Sequence, residues 1–242
     1  MSIVIPLHNE EKCLKPVVEN LISTLEANKI EYELILVNDN STDSTAGILD
    51  AFAKINKGIK VVNSPPPKGF GRAIRMGLNN VSGDTVVIFM GDGSDESEDV
   101  VKYYHKILEG YDCVFGSRFI KGSRVSGYPK IKLILNRLGN KLIQLLFFLR
   151  YNDVSNAFKA YRTEVIKTLQ PFVSQYFNIT VEIPLKAIVR GFTYAIVPIN
   201  WHGRESGVSK YNIKVLTRKY FFSILFVLLE KLLLKEEIRK NL

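Results

Sequence analysis

Five carboxylates crowd the stretch FMGDGSDESED at residues 89–99: Asp92, Asp95, Glu96, Glu98 and Asp99 follow directly on an apolar run that ends at Gly91. Acids in a helix's first turn favour its macrodipole, so Glu96, Glu98 and Asp99 read as capping and surface charge on a helix that begins near Glu96. Asp92 and Asp95 come before that helix. Gly91 and Gly93 flank Asp92 where backbone can approach a ligand closely, and the spacing lets the two aspartates share one hard cation. Oxygen ligands of this type suit Mg2+ or Mn2+. A divalent cation in a crevice serves a diphosphate by neutralising charge on a leaving group, and that is the chemistry the turn suggests.

Such a turn needs a scaffold, and the first half of the chain reads as one. Apolar runs at 3–6, 32–38, 60–63, 84–90 and 111–117 read as strands. Between them lie helical patterns at 11–28, at 41–55 with serine and threonine in capping positions, in the glycine-rich KGFGRAIRMGLNN, and at 96–108. This alternation predicts βαβ units and a mostly parallel sheet. Ligands of an open α/β sheet bind outside the carboxyl ends of its strands, where HNEE, NDNSTD, GDGSDE and GSR all fall. These clusters are placed to converge on one ligand.

At 242 residues the chain is long enough for one large α/β domain, with or without an appendage, and its 46% apolar share excludes disorder. No 18-residue stretch lacks charge, and YFFSILFVLL at 220–229 runs into Glu230 and Lys231, too short to cross a bilayer. The opening SIVIP is a strand pattern without a basic leader, so a cytoplasmic protein is expected. Cys13 and Cys113, far apart and without metal-site spacing, read as free core thiols. The histidines His8, His105 and His202 form no metal set.

The net charge of +9 is uneven: residues 1–115 carry −6, residues 116–162 carry +9 and residues 163–242 carry +6. A basic second half facing something anionic follows, with phosphates, nucleic acid and an acidic membrane surface all open. Nucleic acid is the weakest of the three, because the acidic crevice repels its backbone. The stretches 130–150 and 211 to the end interleave Lys and Arg with leucines and read as helices.

SIVIPLHNEE, ILVNDNSTDST, GFGRAIRMGL, VVIFMGDGSDE, VFGSRF, NAFKAYR and VPINWHGRESGVSK stand in the order found in the inverting glycosyltransferases of family 2. The chain resembles the dolichyl (polyprenyl) phosphate mannose or glucose synthase branch of that family from residue 2 to about 210. The resemblance implies a GT-A type fold, a nucleotide sugar donor such as GDP-mannose or a UDP-sugar, a divalent metal (Mg2+ or Mn2+) and a polyprenyl phosphate acceptor. It implies that Pro6, Glu10 and Asp39 border the nucleotide with Asp39 facing the base, and that Gly69 to Arg72 run beside it. Gly91 and Gly93 fall where the family's Asp-x-Asp acids stand, which leaves Asp92 and Asp95 as metal ligands, Asp92 also touching the nucleotide.

Arg118, Arg137, Arg204 and Lys210 resemble the family's phosphate-binding positions, Ser209 is a further candidate for the acceptor phosphate, and Arg118 and Arg204 are expected to join the two aspartates in catalysis. Asp153 fits either a sugar-hydroxyl partner or a helix cap. The catalytic domain is expected over 1–210, followed by an amphipathic helical segment over 211–242. That segment and 131–149 have the composition of interfacial helices, so peripheral attachment to the cytosolic face of a membrane is expected, with a membrane partner subunit or a homo-oligomer as further possibilities. Two other functions stay open: transfer to a soluble glycan or protein, and a non-catalytic nucleotide-sugar-binding or membrane-scaffold subunit.

Overall fold

A computed structural model describes residues 1–203 and the backbone of 213–240, with side chains in that last stretch described over 218–234. The apolar runs and amphipathic stretches alternate as β1 (Ser2–Leu7), α1 (Leu14–Ala27), β2 (Glu33–Asn38), α2 (Thr45–Ile55), β3 (Ile59–Asn63), α3 (Phe70–Leu78), β4 (Thr85–Ile88), α4 (Ser97–Leu108) and β5 (Cys113–Ser117). The second half adds β6 (Arg124–Ser126), α5 (Lys130–Phe147), β7 (Lys159–Arg162), α6 (Thr163–Leu169), α7 (Ile179–Val189), β8 (Tyr194–Pro198), β9 (Asn200–His202) and α8 (Ile213–Lys240).

The main sheet has the order β3-β2-β1-β4-β7-β5-β8, and all its pairings are parallel except those of β7. β1 is buried at every residue, which is why it reads as a continuous apolar run and not as an alternation. Its side chains divide by parity. Ile3, Ile5 and Leu7 pack with α1, α2 and α4 on one face, and Val4 packs with α3, α6 and α7 on the other. From β1 the strand order runs one way to β2 and β3 and the other way to β4, so the carboxyl ends of β1 and β4 form the switch-point crevice.

Three boundaries differ from the sequence expectation for physical reasons. α1 starts at Leu14 because Glu10 to Cys13 form a turn, with the Glu10 carbonyl accepting from both Cys13 and Leu14. α2 starts at Thr45, whose N–H is met by Asp43 Oδ1 at 3.0 Å and not by a serine or threonine hydroxyl. The NAFKAYR stretch contains β7, an antiparallel strand between β4 and β5 that pairs Val86 with Tyr161 and Val114 with Ala160.

The basic stretches contain α5 and α8, and each turns several of its described apolar residues outward. α5 buries Asn140, Ile143 and Phe147, while Ile131, Ile134, Leu135, Leu138, Leu142 and Leu145 form an exposed stripe at helical spacing. α8 packs on α7, burying Ser223 and Val227 and exposing Phe222, Leu225, Leu229 and Leu232. Lys231 Nζ donates to the Phe147 carbonyl at 3.0 Å and so ties α8 to the end of α5. No helix among the described residues is long and apolar enough to cross a membrane.

Candidate active site

β1 and β2 end in register, Leu7 opposite Asn38, and the two loops beyond them are stitched together. Asn9 Oδ1 accepts the Thr42 N–H at 2.8 Å, Glu11 Oε2 accepts that of Ser44 at 2.9 Å, and the Glu10 N–H reaches Thr45 Oγ1 at 2.9 Å. His8 Nδ1 donates to the Asp39 carbonyl at 2.8 Å, which in the neutral ring leaves Nε2 to accept from Lys68 Nζ at 3.1 Å. Both oxygens of the buried Asp39 carboxylate receive the Gly69 N–H, at 2.8 and 3.1 Å. Asp39 thus fastens the glycine turn to the end of β2. Pro6 is buried inside β1, opposite Val37 of β2.

Gly69 and Gly71 are glycines because another segment presses against them. A Cβ on Gly69 would lie 2.6 Å from the Gln175 carbonyl oxygen, and one on Gly71 would lie 2.6 Å from that of Ser174. Arg72 leaves the same turn and gives Nη2 to Gln175 Oε1 at 2.8 Å. The glycine-rich stretch is therefore a packed junction as well as a border of the crevice.

The acidic turn closes over β1, where a Cβ on Gly91 would lie 2.2 Å from Leu7 Cδ2. Asp92 Oδ1 accepts the Ser94 N–H at 3.1 Å, and Asp95 Oδ2 accepts that of Met90 at 3.2 Å. Asp95 is buried, and its burial, reinforced by the charge of Asp92, holds its carboxyl well above the usual carboxylate range. A cation between the two acids would relieve both effects, so these residues fit a divalent metal. Among the described residues no group of three or more His, Cys, Asp or Glu is arranged to hold an ion, so the rest of such a shell would come from diphosphate oxygens and water. Cys13 bridges the loops: its Sγ lies 3.3 Å from Glu10 Oε2 and 3.6 Å from the Gly91 carbonyl. Burial, then the Glu10 carboxylate, push this thiol up to about 12, so it is a neutral donor.

Two acids of the turn are not surface charge. Asp99 is fully buried, accepting the Asn200 N–H at 2.9 Å and Lys102 Nζ at 2.5 Å. Glu96 accepts Asn200 Nδ2 at 2.7 Å and His202 Nε2 at 2.9 Å. With an Asp95 to Trp201 bridge and the His202 N–H on the Ser94 carbonyl at 3.0 Å, they fasten β9 across the acidic turn. Glu98 alone of the three remains exposed, as a helix-start acid on the surface should.

Arg118, just past β5, is buried, and Asp153 receives its N–H, Nε and Nη2 at 3.0, 2.8 and 2.7 Å. Burial opposes the guanidinium charge, but the carboxylate more than offsets it and the arginine stays protonated. The rings of Phe119, Tyr128 and Trp201 enclose it, with centroids 5.3, 5.5 and 5.6 Å from Cζ. The exposed Arg137, on α5, lies 4.4 Å from the Phe119 centroid. Arg118 and Arg137 thus meet at one ring, and Asp153 is the counter-ion of Arg118 and not a helix cap. Arg204, Ser209 and Lys210 lie outside the described residues.

Sequence reasoning missed Lys159, whose only signal was a lysine inside the apolar run of NAFKAYR. Fully buried on β7, its Nζ donates to the carbonyls of Val154 at 3.0 Å, Thr180 at 3.3 Å and Asn156. It holds the loop that presents Asp153. Lys68 was also missed, because an exposed lysine carries no distinguishing pattern until His8 is beside it.

A profile of glycosyl transferase family 2 matches residues 2–170. The polyprenol monophosphomannose synthase of Mycolicibacterium smegmatis is 27% identical over 214 residues, covering 86% of this chain and 79% of that protein. The undecaprenyl-phosphate 4-deoxy-4-formamido-L-arabinose transferase of Shewanella sediminis is 30% identical over 227 residues, covering 91% of this chain and 64% of that one. Glucosyl-3-phosphoglycerate synthase from Mycobacterium tuberculosis, solved with UDP, has a TM-score of 0.71 at 21% identity, covering 94% of this chain and 79% of that chain. The same enzyme solved with Mn2+, UDP-glucose and phosphoglyceric acid has a TM-score of 0.70 at 20% identity, covering 94% and 79%. At such identity the likeness establishes the fold.

Proposed function

The chain belongs to glycosyltransferase family 2 and is a glycosyltransferase, and from that premise we propose that it moves a hexose from a nucleoside diphosphate sugar to a polyprenyl phosphate, inverting the anomeric carbon. One observation carries this reading: α5, which brings Arg137 to the ring shared with Arg118, also turns the apolar stripe Ile131 to Leu145 to solvent. A phosphate grip and a lipid-compatible face stand on one helix. The relatives named for polyprenol and undecaprenyl phosphate chemistry support it.

The nucleoside lies against Pro6, Glu10, Asp39 and the Gly69 to Arg72 turn, with its diphosphate towards Asp92 and Asp95. Mg2+ or Mn2+ bound by those two aspartates would neutralise the diphosphate leaving group. The acceptor phosphate is assigned to Arg118, Arg137, Ser209 and Lys210, with Arg118 and Arg204 also assigned to catalysis. Asp153 holds Nε and Nη2 of Arg118 and so fixes the plane of the guanidinium beside the proposed acceptor site. Because the second pKa of a phosphate monoester is about 6, the nucleophile is anionic without a general base. Its oxygen bonds to the anomeric carbon as the bond to the diphosphate oxygen breaks, through an oxocarbenium-like state. Alignment and charge stabilisation do the catalysis.

Residues 1–210 form the catalytic domain in this reading. The outward face of α5, bordered by Lys130, Lys132 and Lys141, and that of α8 over 218–234 lie in the headgroup region of a membrane's cytosolic face. The test is incubation with Mg2+ or Mn2+, polyprenyl phosphate and a panel of nucleotide sugars. Labelled sugar is expected in the organic phase. Transfer only to a water-soluble acceptor would sink the lipid assignment.

A further inference from the structure

The segment 170–178, between α6 and α7, touches the glycine turn on one side and α8 on the other. Towards the turn, Gly71 meets the Ser174 carbonyl, the Arg72 N–H and Nη2 reach Gln175 O and Oε1 at 3.3 and 2.8 Å, and the rings of Phe70 and Phe177 stack at 4.1 Å. Towards α8, Ser223 Oγ lies 3.0 Å from Ser174 Oγ and accepts Asn178 Nδ2 at 2.7 Å, while the Tyr220 hydroxyl donates to the Phe177 carbonyl at 3.2 Å. Ser174, Asn178 and Ser223 are all buried. Among the described residues, the buried side-chain nitrogen and oxygen atoms without a partner are Arg72 Nε and Asn178 Oδ1, one at each side of this segment. The junction is thus connected from the glycine turn to α8, through buried side chains on the α8 side.

We propose that Ser223 is a positioning residue for the donor site: through Ser174 and Asn178 it sets segment 170–178, and thereby the Gly69 to Arg72 turn that Asp39 holds. Donor affinity then depends on how α8 is seated, although α8 does not touch the donor. This rests on the reading that the nucleoside binds at Asp39 and the glycine turn.

The test uses the full chain, with calorimetric binding of UDP and GDP and steady-state kinetics on the transferred donor. Ser223→Val removes the hydroxyl, Ser223→Thr has the same branched shape as valine with the hydroxyl in place, and Asp39→Asn probes the donor site directly. For Ser223→Val the donor KM and nucleotide Kd are expected to rise about fivefold, the low end of typical coupling between sites, with kcat at saturating donor unchanged. Ser223→Thr is expected to stay within about twofold of the parent, a split that a merely stabilising hydroxyl would not produce. Weakened binding in Asp39→Asn with normal binding in Ser223→Val overturns the proposal and leaves the donor site standing. Normal binding in Asp39→Asn overturns the donor site itself, and the proposal with it. If Ser223→Val does not fold, Ser223→Ala removes the same hydroxyl without adding volume, and a normal KM there is equally fatal.

Discussion

Arg118 and Asp153 form a buried bidentate pair, Nε to Oδ2 at 2.8 Å and Nη2 to Oδ1 at 2.7 Å. Removing either partner strands a charge in the interior, which costs about 3–5 kcal/mol, whereas an apolar pair of similar volume is often tolerated. Arg118→Met and Asp153→Asn should each lower the unfolding free energy measured in urea by that amount, and Arg118→Met/Asp153→Leu should recover most of it. Turnover should be absent in all three. A stable double variant with normal turnover would reduce the pair to a structural element.

Asp95 is predicted to make the metal-free protein less stable at neutral pH than its neutral replacement. Its folded-state pKa is raised, by burial first and by Asp92 second, so its favourable contribution is full below the ordinary aspartate value of 3.8 and is lost as pH rises through the folded value. Asp95→Asn should therefore melt higher than the parent at pH 7 in a chelator, and the difference should vanish near pH 3.5. Adding Mn2+ with a nucleoside diphosphate should raise the parent's Tm and leave that of Asp95→Asn unchanged. Equal Mn2+ shifts in both proteins would remove Asp95 from the metal site.

The scaffold was legible because strands buried on both faces announce themselves: Val4, Ile35 and Val86 belong to uninterrupted apolar runs, and the polar loops after them had to gather at one edge of a parallel sheet. β7 was not legible, since Lys159 breaks the run and an antiparallel insertion leaves no trace in a βαβ rhythm. Asp99 and Glu96 have the right types for a helix start, and only their contacts with Asn200 and His202, a hundred residues on, show them as ties. Arg118 was visible as an arginine after a strand. That its charge is matched by Asp153 depends on a loop 35 residues away in sequence.

Lys159 should give the protein a distinct alkaline profile. Burial lowers its ammonium from 10.5 to about 7, so between those values the unfolded chain binds more protons than the folded one and stability rises with pH. Comparing denaturant midpoints at pH 7 and pH 9.5 should show this gain in the parent and its absence in Lys159→Met. The variant should also be less stable at both pH values, because the carbonyls of Val154, Asn156 and Thr180 lose their donor. A parental gain retained in Lys159→Met would assign the titration to another group.

The outward apolar faces of α5 and α8 allow lipid contact to be separated from folding. Leu138 and Leu232 are 63% and 53% exposed, so changing each to Glu should alter stability by no more than about 0.5 kcal/mol. The same changes place carboxylates on a face bordered by Lys130, Lys132 and Lys141, where they oppose both insertion and attraction to anionic headgroups. In flotation with anionic vesicles the parent should rise with the lipid, and Leu138→Glu/Leu232→Glu should remain at the bottom. With a short-chain, water-soluble acceptor phosphate in place of the vesicles, the double variant should turn over at the parental rate, because neither leucine lies in the donor crevice. Parental flotation by the double variant would mean that the stripe Ile131 to Leu145 meets something other than a bilayer.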